Sequence, residues 1–261
     1  MPYRIALAER SARANLSGPM PRRSPYHPPR DVAVASLKEL LVASGRGINE
    51  RQLDFLRVPG REGGRDDVRV FLSGDRTLLS RRCVSIVGTR EVTERGRRRA
   101  DRLARELADL GVVVVSGLAK GVDTAALSGA VNVGGRTIAV IGTPLSKAYP
   151  AENWQLQETI WQHHLLLTPF AEGEQVFKAN FPKRNRVMAA ISDATVIVEA
   201  SDTSGTLHQV AECVRLGRWL FIMKAVAEDT TLKWPKSFLG NPKTAILEKT
   251  DDILNAIGSR S

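Results

Sequence analysis

The chain has 261 residues, 43% hydrophobic and 25% charged, enough for one sizeable core and a small appendage. Lysine plus arginine number 38 against 28 acids, a formal net charge of +10 that points to an anionic partner. No apolar run approaches the roughly 20 residues needed to span a bilayer, and no signal-peptide apolar region follows the first charges, so a cytoplasmic protein without membrane association is expected. Cys83 and Cys213 lie far apart, with no CxxC and no paired histidine, so neither a disulfide framework nor a cysteine zinc site is expected. His27 and the pair His163-His164 have no further ligand at useful spacing, so no metal is expected.

The basic excess is localised. Residues 1–30 hold six arginines and one glutamate, and residues 81–105 hold nine arginines and three acids. The remainder is essentially neutral, so the charge reads either as a footprint for a polyanion or as an arginine-rich solvated surface. Residues 1–30 also carry Pro19, Pro21, Pro25, Pro28 and Pro29, which prevent a helix of useful length past Ser17. A basic disordered arm is expected there, with a transit peptide as the compositional alternative.

Residues 31–80 form a small preceding unit. Val34, Leu37, Leu40 and Leu41 recur at helical spacing, Gly45 and Gly47 stop that helix, and Leu53, Phe55 and Leu56 suggest another. Pro59-Gly60 and Gly63-Gly64 mark a loop, and 68–72 reads as a strand leading into the main domain. The unit is too short for its own core and is expected to pack on the sheet that follows.

From residue 81 to 261 strands and helices alternate. Apolar strands are predicted at 84–87, 112–115, 138–141, 165–167, 195–198 and 220–223, with helices at 93–110, 122–133, 152–163, 184–192 and 207–216. Near-continuous hydrophobicity marks strands covered on both faces. The pattern predicts an α/β fold: a doubly wound, mostly parallel, extended Rossmann-like sheet with a small N-terminal helical unit. In the first of these helices Thr93 is the N-cap, Ala100, Leu103, Ala104 and Leu107 form the buried stripe, and Arg95, Arg98, Arg102 and Arg105 lie beside it with Arg99. Glu94, Asp101 and Glu106 are available to compensate them.

The chemistry concentrates where strands give way to helices. Val87-Gly88-Thr89-Arg90 closes the first strand of this domain, and Ser116-Gly117-Leu118-Ala119-Lys120-Gly121-Val122-Asp123 the second. Phe181-Pro182-Lys183-Arg184-Asn185-Arg186 opens a helix, and Ser204-Gly205-Thr206 opens the next. In an open parallel sheet such carboxyl-end turns gather along one edge, where anions bind. Backbone N–H groups at Gly88, Gly117, Gly205 and Thr206 are candidate phosphate donors, and Arg90, Arg184 and Arg186 candidate counter-charges. Phe181 is either a base-stacking platform or a core plug. Arg186 has a structural alternative, pairing with Glu199 or Asp123. Trp154, Trp161, Trp219 and Trp234 read as core or interface aromatics, and both thiols as buried.

Taken together these fragments resemble the DNA-processing protein A family (DprA, also called Smf). The family pattern V-G-S/T-R, V-V-S-G-L-A-x-G-I-D, G-G-x-T-I-A-V, Y-P-x-E-N, F-P-x-R-N-R, V-E-A, S-G-S/T and G-R is met in order. The corresponding residues run from Val87 through Val115–Asp123, Gly134–Val140, Tyr149–Asn153, Arg184–Arg186, Val198–Ala200 and Ser204–Thr206 to Gly217-Arg218. The resemblance covers roughly residue 70 to the end. It implies a Rossmann-like domain that binds single-stranded DNA without sequence preference, protects it, and delivers it to a RecA-type recombinase in DNA uptake and recombination, as a homodimer, with no cofactor and no catalysis. The residues expected to meet DNA or phosphate are Gly88, Thr89, Arg90, Ser116, Gly117, Lys120, Gly121, Phe181, Lys183, Arg184, Asn185, Arg186, Ser204, Gly205 and Thr206.

Some positions depart from the family. Leu127 stands where a histidine is common, Gly142-Thr143-Pro144 replaces a G-x-G pair, and His208-Gln209 replaces Thr-Ala; the winged-helix unit often found at the family's C-terminus is not expected after the helix at 251–257. Two alternative readings use the same pocket: a nucleotide-binding sensor, and an enzyme resembling the phosphoribohydrolases marked by P-G-G-x-G-T-x-x-E. The second is disfavoured because Gln209 stands where a carboxylate would act, and an amide takes no proton.

Overall fold

Runs of valine, isoleucine and leucine supply the centre of a nine-stranded sheet. The computed structural model describes residues 25–46, 68–175 and 180–258, with backbone alone for 180–182. In chain order the strands are β1 (Ala33–Ser36), β2 (Arg69–Gly74), β3 (Cys83–Val87), β4 (Val113–Ser116), β5 (Thr137–Val140), β6 (Leu165–Thr168), β7 (Ala194–Ile197), β8 (Trp219–Met223) and β9 (Thr244–Leu247). The helices are α1 (Leu37–Ala43), α2 (Glu94–Asp109), α3 (Val122–Asn132), α4 (Trp154–His163), α5 (Asn180–Ile191), α6 (Thr206–Arg215), α7 (Lys224–Ala227), α8 (Trp234–Leu239) and α9 (Thr250–Ile257).

The sheet order is β1-β2-β6-β5-β4-β3-β7-β8-β9. From β6 to β9 every pairing is parallel, and β1 and β2 extend the β6 edge antiparallel. The chain winds outward from β3 to β6, then returns to the other side of β3 with β7. That reversal opens a crevice outside the carboxyl ends of β3 and β7, where ligands bind in open α/β sheets. The Rossmann-like, mostly parallel architecture read from the strand pattern is the one observed. The five strands β3 to β7 are buried at every position, which is why their sequences do not alternate.

Two apolar layers clamp the sheet. Leu103, Leu107 and Ala100 of α2, Val122 and Ala126 of α3, and Ile253 of α9 pack with Val84, Val114 and Val196 on one face. Leu37 and Leu41 of α1, Val187 and Met188 of α5, and Val210 and Cys213 of α6 pack with Val113, Val115 and Ile197 on the other. The Thr93 hydroxyl caps α2 by accepting the Gly96 N–H at 3.0 Å. The arginine stripe of α2 is partly neutralised along its own helix: Arg98 faces Glu94, which Arg97 also meets, Arg102 faces Glu106 (2.6 Å) and Arg105 faces Asp101 (2.8 Å). That stripe is exposed to solvent and paired in part.

Several features differ from expectation. Ala33–Ser36 is a strand rather than the start of a helix, so Val34 belongs to an edge strand. The helix begins only at Leu37, because the Ser36 hydroxyl accepts the Glu39 N–H (3.1 Å) while the Glu39 carboxylate accepts the Ser36 N–H (3.2 Å). Ser36-x-x-Glu39 is the sequence signature of this capping box. Strand β9 and the short helices α7 and α8 lie beyond the predicted elements, since β9 is only four residues long and half-exposed. The helix suggested near Leu53–Leu56, the residues to 24 of the basic segment and the second stop glycine Gly47 lie outside the described residues. Tyr26, within that basic segment, is buried against the body.

Arg46 joins the N-terminal unit to the sheet. Its side chain is 1% exposed, and its guanidinium donates to Leu79 O, to Arg81 O at 2.8 Å and to the Asp193 carboxylate at 3.0 Å. The same Asp193 oxygen accepts the Cys83 N–H at 2.8 Å. Removing one partner of such a buried pair leaves the other charge uncompensated, so Arg46→Ala is expected to lower stability by about 3–5 kcal/mol, read as a fall in the urea midpoint. Among the described residues no helix is long and apolar enough to cross a membrane.

Candidate nucleic-acid interface

The loops following β3, β4 and β7 and the first turns of α5 and α6 meet at one rim, around a cavity of about 450 Å³. Its lining includes Gly88, Thr89, Arg90, Arg184, Asn185, Ser204, Gly205 and Thr206, eight of the residues expected from the sequence to meet DNA or phosphate. They come from positions more than a hundred residues apart, and the reversal of winding at β3 brings them together.

Arg184 is the organising side chain. Only 5% exposed, it donates from Nη1 to Val140 O at 3.0 Å, at the end of β5, and lies 4.0 Å from the Asp123 carboxylate. Its Nε is buried without an acceptor among the described residues. Burial holds its pKa below the ordinary arginine value, Asp123 opposes that shift, and the neighbouring Arg90 charge adds to it. Burial likewise pushes the Asp123 carboxyl up, against the pull of Arg184 and of the Ala119 N–H, which donates to it at 3.3 Å. Two guanidinium groups thus face one cavity, with the buried Asp123 carboxyl beside Arg184.

Gly117 makes this possible. A Cβ there would sit 1.5 Å from Arg184 Nη1 and 2.7 Å from the Asp123 carboxylate, so only glycine lets the guanidinium lie across the end of β4. Gly121 is needed for a different reason. Its φ of +79° is left-handed, and a Cβ would come within 2.4 Å of Thr89 O, so it lets the loop after β4 press against the loop after β3.

The other predicted residues sit around the cavity rather than in its lining. The Ser116 hydroxyl is buried and donates to Ile86 O at 2.7 Å. Lys120 pairs with Glu152 at 2.6 Å in a crevice between α2 and α3. The Lys183 ammonium lies 4.8 Å above the Phe170 ring. Arg186 is 3.5 Å from Glu212 of α6, so the carboxylate beside it is neither Glu199 nor Asp123. The Phe181 side chain lies outside the described residues.

Several contributors go beyond the predicted set. Met188, His208 and Gln209 also line the cavity. In the orientation that satisfies its neighbours, the Gln209 amide donates to Asn185 O (2.6 Å) and accepts from Ala189 N (3.3 Å), tying α6 to α5. Leu118 adopts φ +56° although it carries a side chain, a conformation uncommon outside glycine and asparagine. It is held by Asn153, whose amide donates to Leu118 O (2.9 Å) and to the Thr124 hydroxyl (2.8 Å). Glu199, after β7, accepts the Thr93 N–H (2.9 Å) and hydroxyl (2.7 Å). Glu199→Ala is expected to loosen the first turn of α2 and cost about 1 kcal/mol, measurable by thermal melting.

Comparison with known proteins bears on the fold and on the family. The family model described as DNA recombination-mediator protein A matches residues 66–258. The chain belongs to that family. It is 40% identical over 154 residues to the DNA processing protein DprA of Streptococcus pneumoniae, covering 59% of this chain and 54% of that protein. With DprA of Bacillus subtilis it shares 33% identity over 193 residues, 74% of this chain and 65% of the relative. The chain therefore spans roughly half to two thirds of these DprA proteins. Among solved structures, S. pneumoniae DprA aligns with TM-score 0.64 at 32% identity, over 74% of this chain and 68% of that one. The DprA of Helicobacter pylori, described for its single-stranded DNA binding mode, aligns with TM-score 0.65 at 27% identity, over 86% and 95%.

Proposed function

We propose that this DprA-family chain binds the sugar–phosphate backbone of single-stranded DNA in the carboxyl-edge cavity, without sequence preference and without chemical turnover. The observation that carries the reading is the buried Arg184 guanidinium, laid over Gly117 and facing the same cavity as Arg90. The two guanidinium groups suit a phosphodiester, whose charge is fixed and whose oxygens accept from several donors. Membership of the DprA family supports the wider role in DNA processing and recombination. Protection of the strand, its delivery to a RecA-type recombinase and action as a homodimer complete the proposal, as the resemblance of the sequence motifs implies.

Gln209 supports the absence of turnover. Its amide is bonded to the backbone of α5, and an amide at this position does not serve as a general acid or base. A cavity of about 450 Å³ also has the size of a small-molecule site, so a nucleotide sensor is the competing reading. The experiment is an anisotropy titration of the full chain with oligo-dT, duplex DNA and mononucleotides at two salt concentrations. Oligo-dT is expected to bind more tightly than duplex, with affinity falling as salt rises. Saturation by a mononucleotide as tight as by oligo-dT would replace this reading with the sensor.

A further inference from the structure

His208 lines the cavity from the first turn of α6, at the place where His208-Gln209 departs from the Thr-Ala of the family pattern. The two side chains are used differently. Gln209 is bonded to the backbone of α5. The His208 imidazole is exposed and makes no hydrogen bond or ion pair among the described residues. Only its backbone N–H is engaged, donating to Gly205 O at 3.3 Å.

The charges around His208 come from several elements. Arg90 and Glu91 line the cavity from the loop after β3, Asp123 from α3 and Arg184 from α5. One turn further along α6, Glu212 meets Arg186 at 3.5 Å and Arg215 at 3.2 Å. Asp202, in the loop before α6, accepts the backbone N–H groups of Lys233 (3.0 Å) and Trp234 (2.9 Å). Strands β7 and β8, on which α6 packs, carry no charged residue.

We infer that His208 is a third cationic ligand of the DNA backbone, donating to phosphate beside Arg90 and Arg184 as the imidazolium, so that the grip tightens as pH falls. The inference rests on the single-stranded DNA reading above. Imidazole is the side chain whose charge ordinarily changes between about pH 5 and 8. A neutral ring offers phosphate one N–H, whereas the imidazolium offers two together with a charge. A ligand that prefers the protonated ring draws a proton onto it, and by reciprocity the proton strengthens binding of the ligand.

The test compares the full chain with His208→Gln and His208→Arg by anisotropy titration of oligo-dT of about 10 nucleotides. Titrations are run at about pH 5.5 and about pH 8, each at three salt concentrations. The cavity carboxyls also gain protons on acidification, including Asp123, which burial pushes up. The readout is therefore the difference between wild type and the glutamine variant. From pH 8 to pH 5.5 wild type is expected to gain about tenfold more affinity than His208→Gln. Its salt slope at the acid pH should exceed that of the variant by about 0.7. His208→Arg, whose charge is fixed, is expected to bind at pH 8 about tenfold more tightly than His208→Gln and to show the same pH dependence as that variant. Equal pH dependence in wild type and His208→Gln, as pairing of the imidazolium with Glu91 would give, overturns the inference and leaves the cavity reading intact. A loss of the same size at both pH values, as for a neutral stacking contact with a base, does so too. Wild type that binds oligo-dT at neither pH overturns the cavity reading itself.

Discussion

Arg184→Ala is expected to weaken binding of short oligo-dT by about 10- to 100-fold, the size of one charge-assisted hydrogen bond to phosphate. The salt dependence should become shallower by about 0.7 in logarithmic slope, because one phosphate is no longer neutralised. The variant also loses stability, since Asp123 stays buried without its cation. Burial already pushes that carboxyl up, and losing Arg184 pushes it further. An acid whose pKa is raised on folding binds more protons folded than unfolded, so its cost is absent below the unfolded value and grows as pH rises towards the folded one. The stability deficit of Arg184→Ala should therefore shrink on acidification. Arg184→Ala combined with Asp123→Asn separates the two effects: stability is expected to recover at neutral pH while DNA affinity does not. Recovery of affinity in the double variant would show that Arg184 acts only as a structural partner.

Gly117→Ala is the second large effect. The added methyl would lie 1.5 Å from Arg184 Nη1, so the guanidinium has to leave its place on Val140 O. The expected result is a loss of affinity as large as that of Arg184→Ala, from a residue that contributes no side chain. Because both changes remove the same group from the cavity, they should not add. In a chain already carrying Arg184→Ala, Gly117→Ala should cost little further affinity and much less stability than it does alone, a coupling that a double-mutant cycle measures directly. Additive losses would mean that the glycine serves the ligand rather than the arginine.

The parallel core and the meeting of distant turns are readable in the sequence, because buried strands and strand-end glycines leave local signatures. The positions of Gly88, Arg184 and Gly205 around one cavity follow from that topology. What the glycines do is less readable. Gly117 reads in sequence as a backbone donor, yet its chief role is to leave space for Arg184, a contact between residues far apart in the chain. Ser116 and Lys120 enter the candidate site through their neighbours in the motif; one is turned between strands to Ile86 O, the other outward to Glu152. Nothing in a leucine signals a left-handed backbone, so Leu118 is unreadable, whereas its keeper Asn153 stands in a recognisable motif. At the start of α1 two local signals compete. The apolar spacing of Val34 extends the helix too far towards the N-terminus, while Ser36 and Glu39 mark where it begins.

The bond network of Arg46 bears on where this protein can be cut. The family match begins at residue 66, which invites expression of that portion by itself. Such a fragment would keep the Asp193 carboxylate with its bond from the Cys83 N–H but discard the guanidinium that neutralises that carboxylate, along with its hold on both carbonyls of the turn before β3. The Asp193 charge, at the start of β7 and beside β3, would then be left without its cation, so the fragment is expected to be less stable than a chain that keeps Arg46.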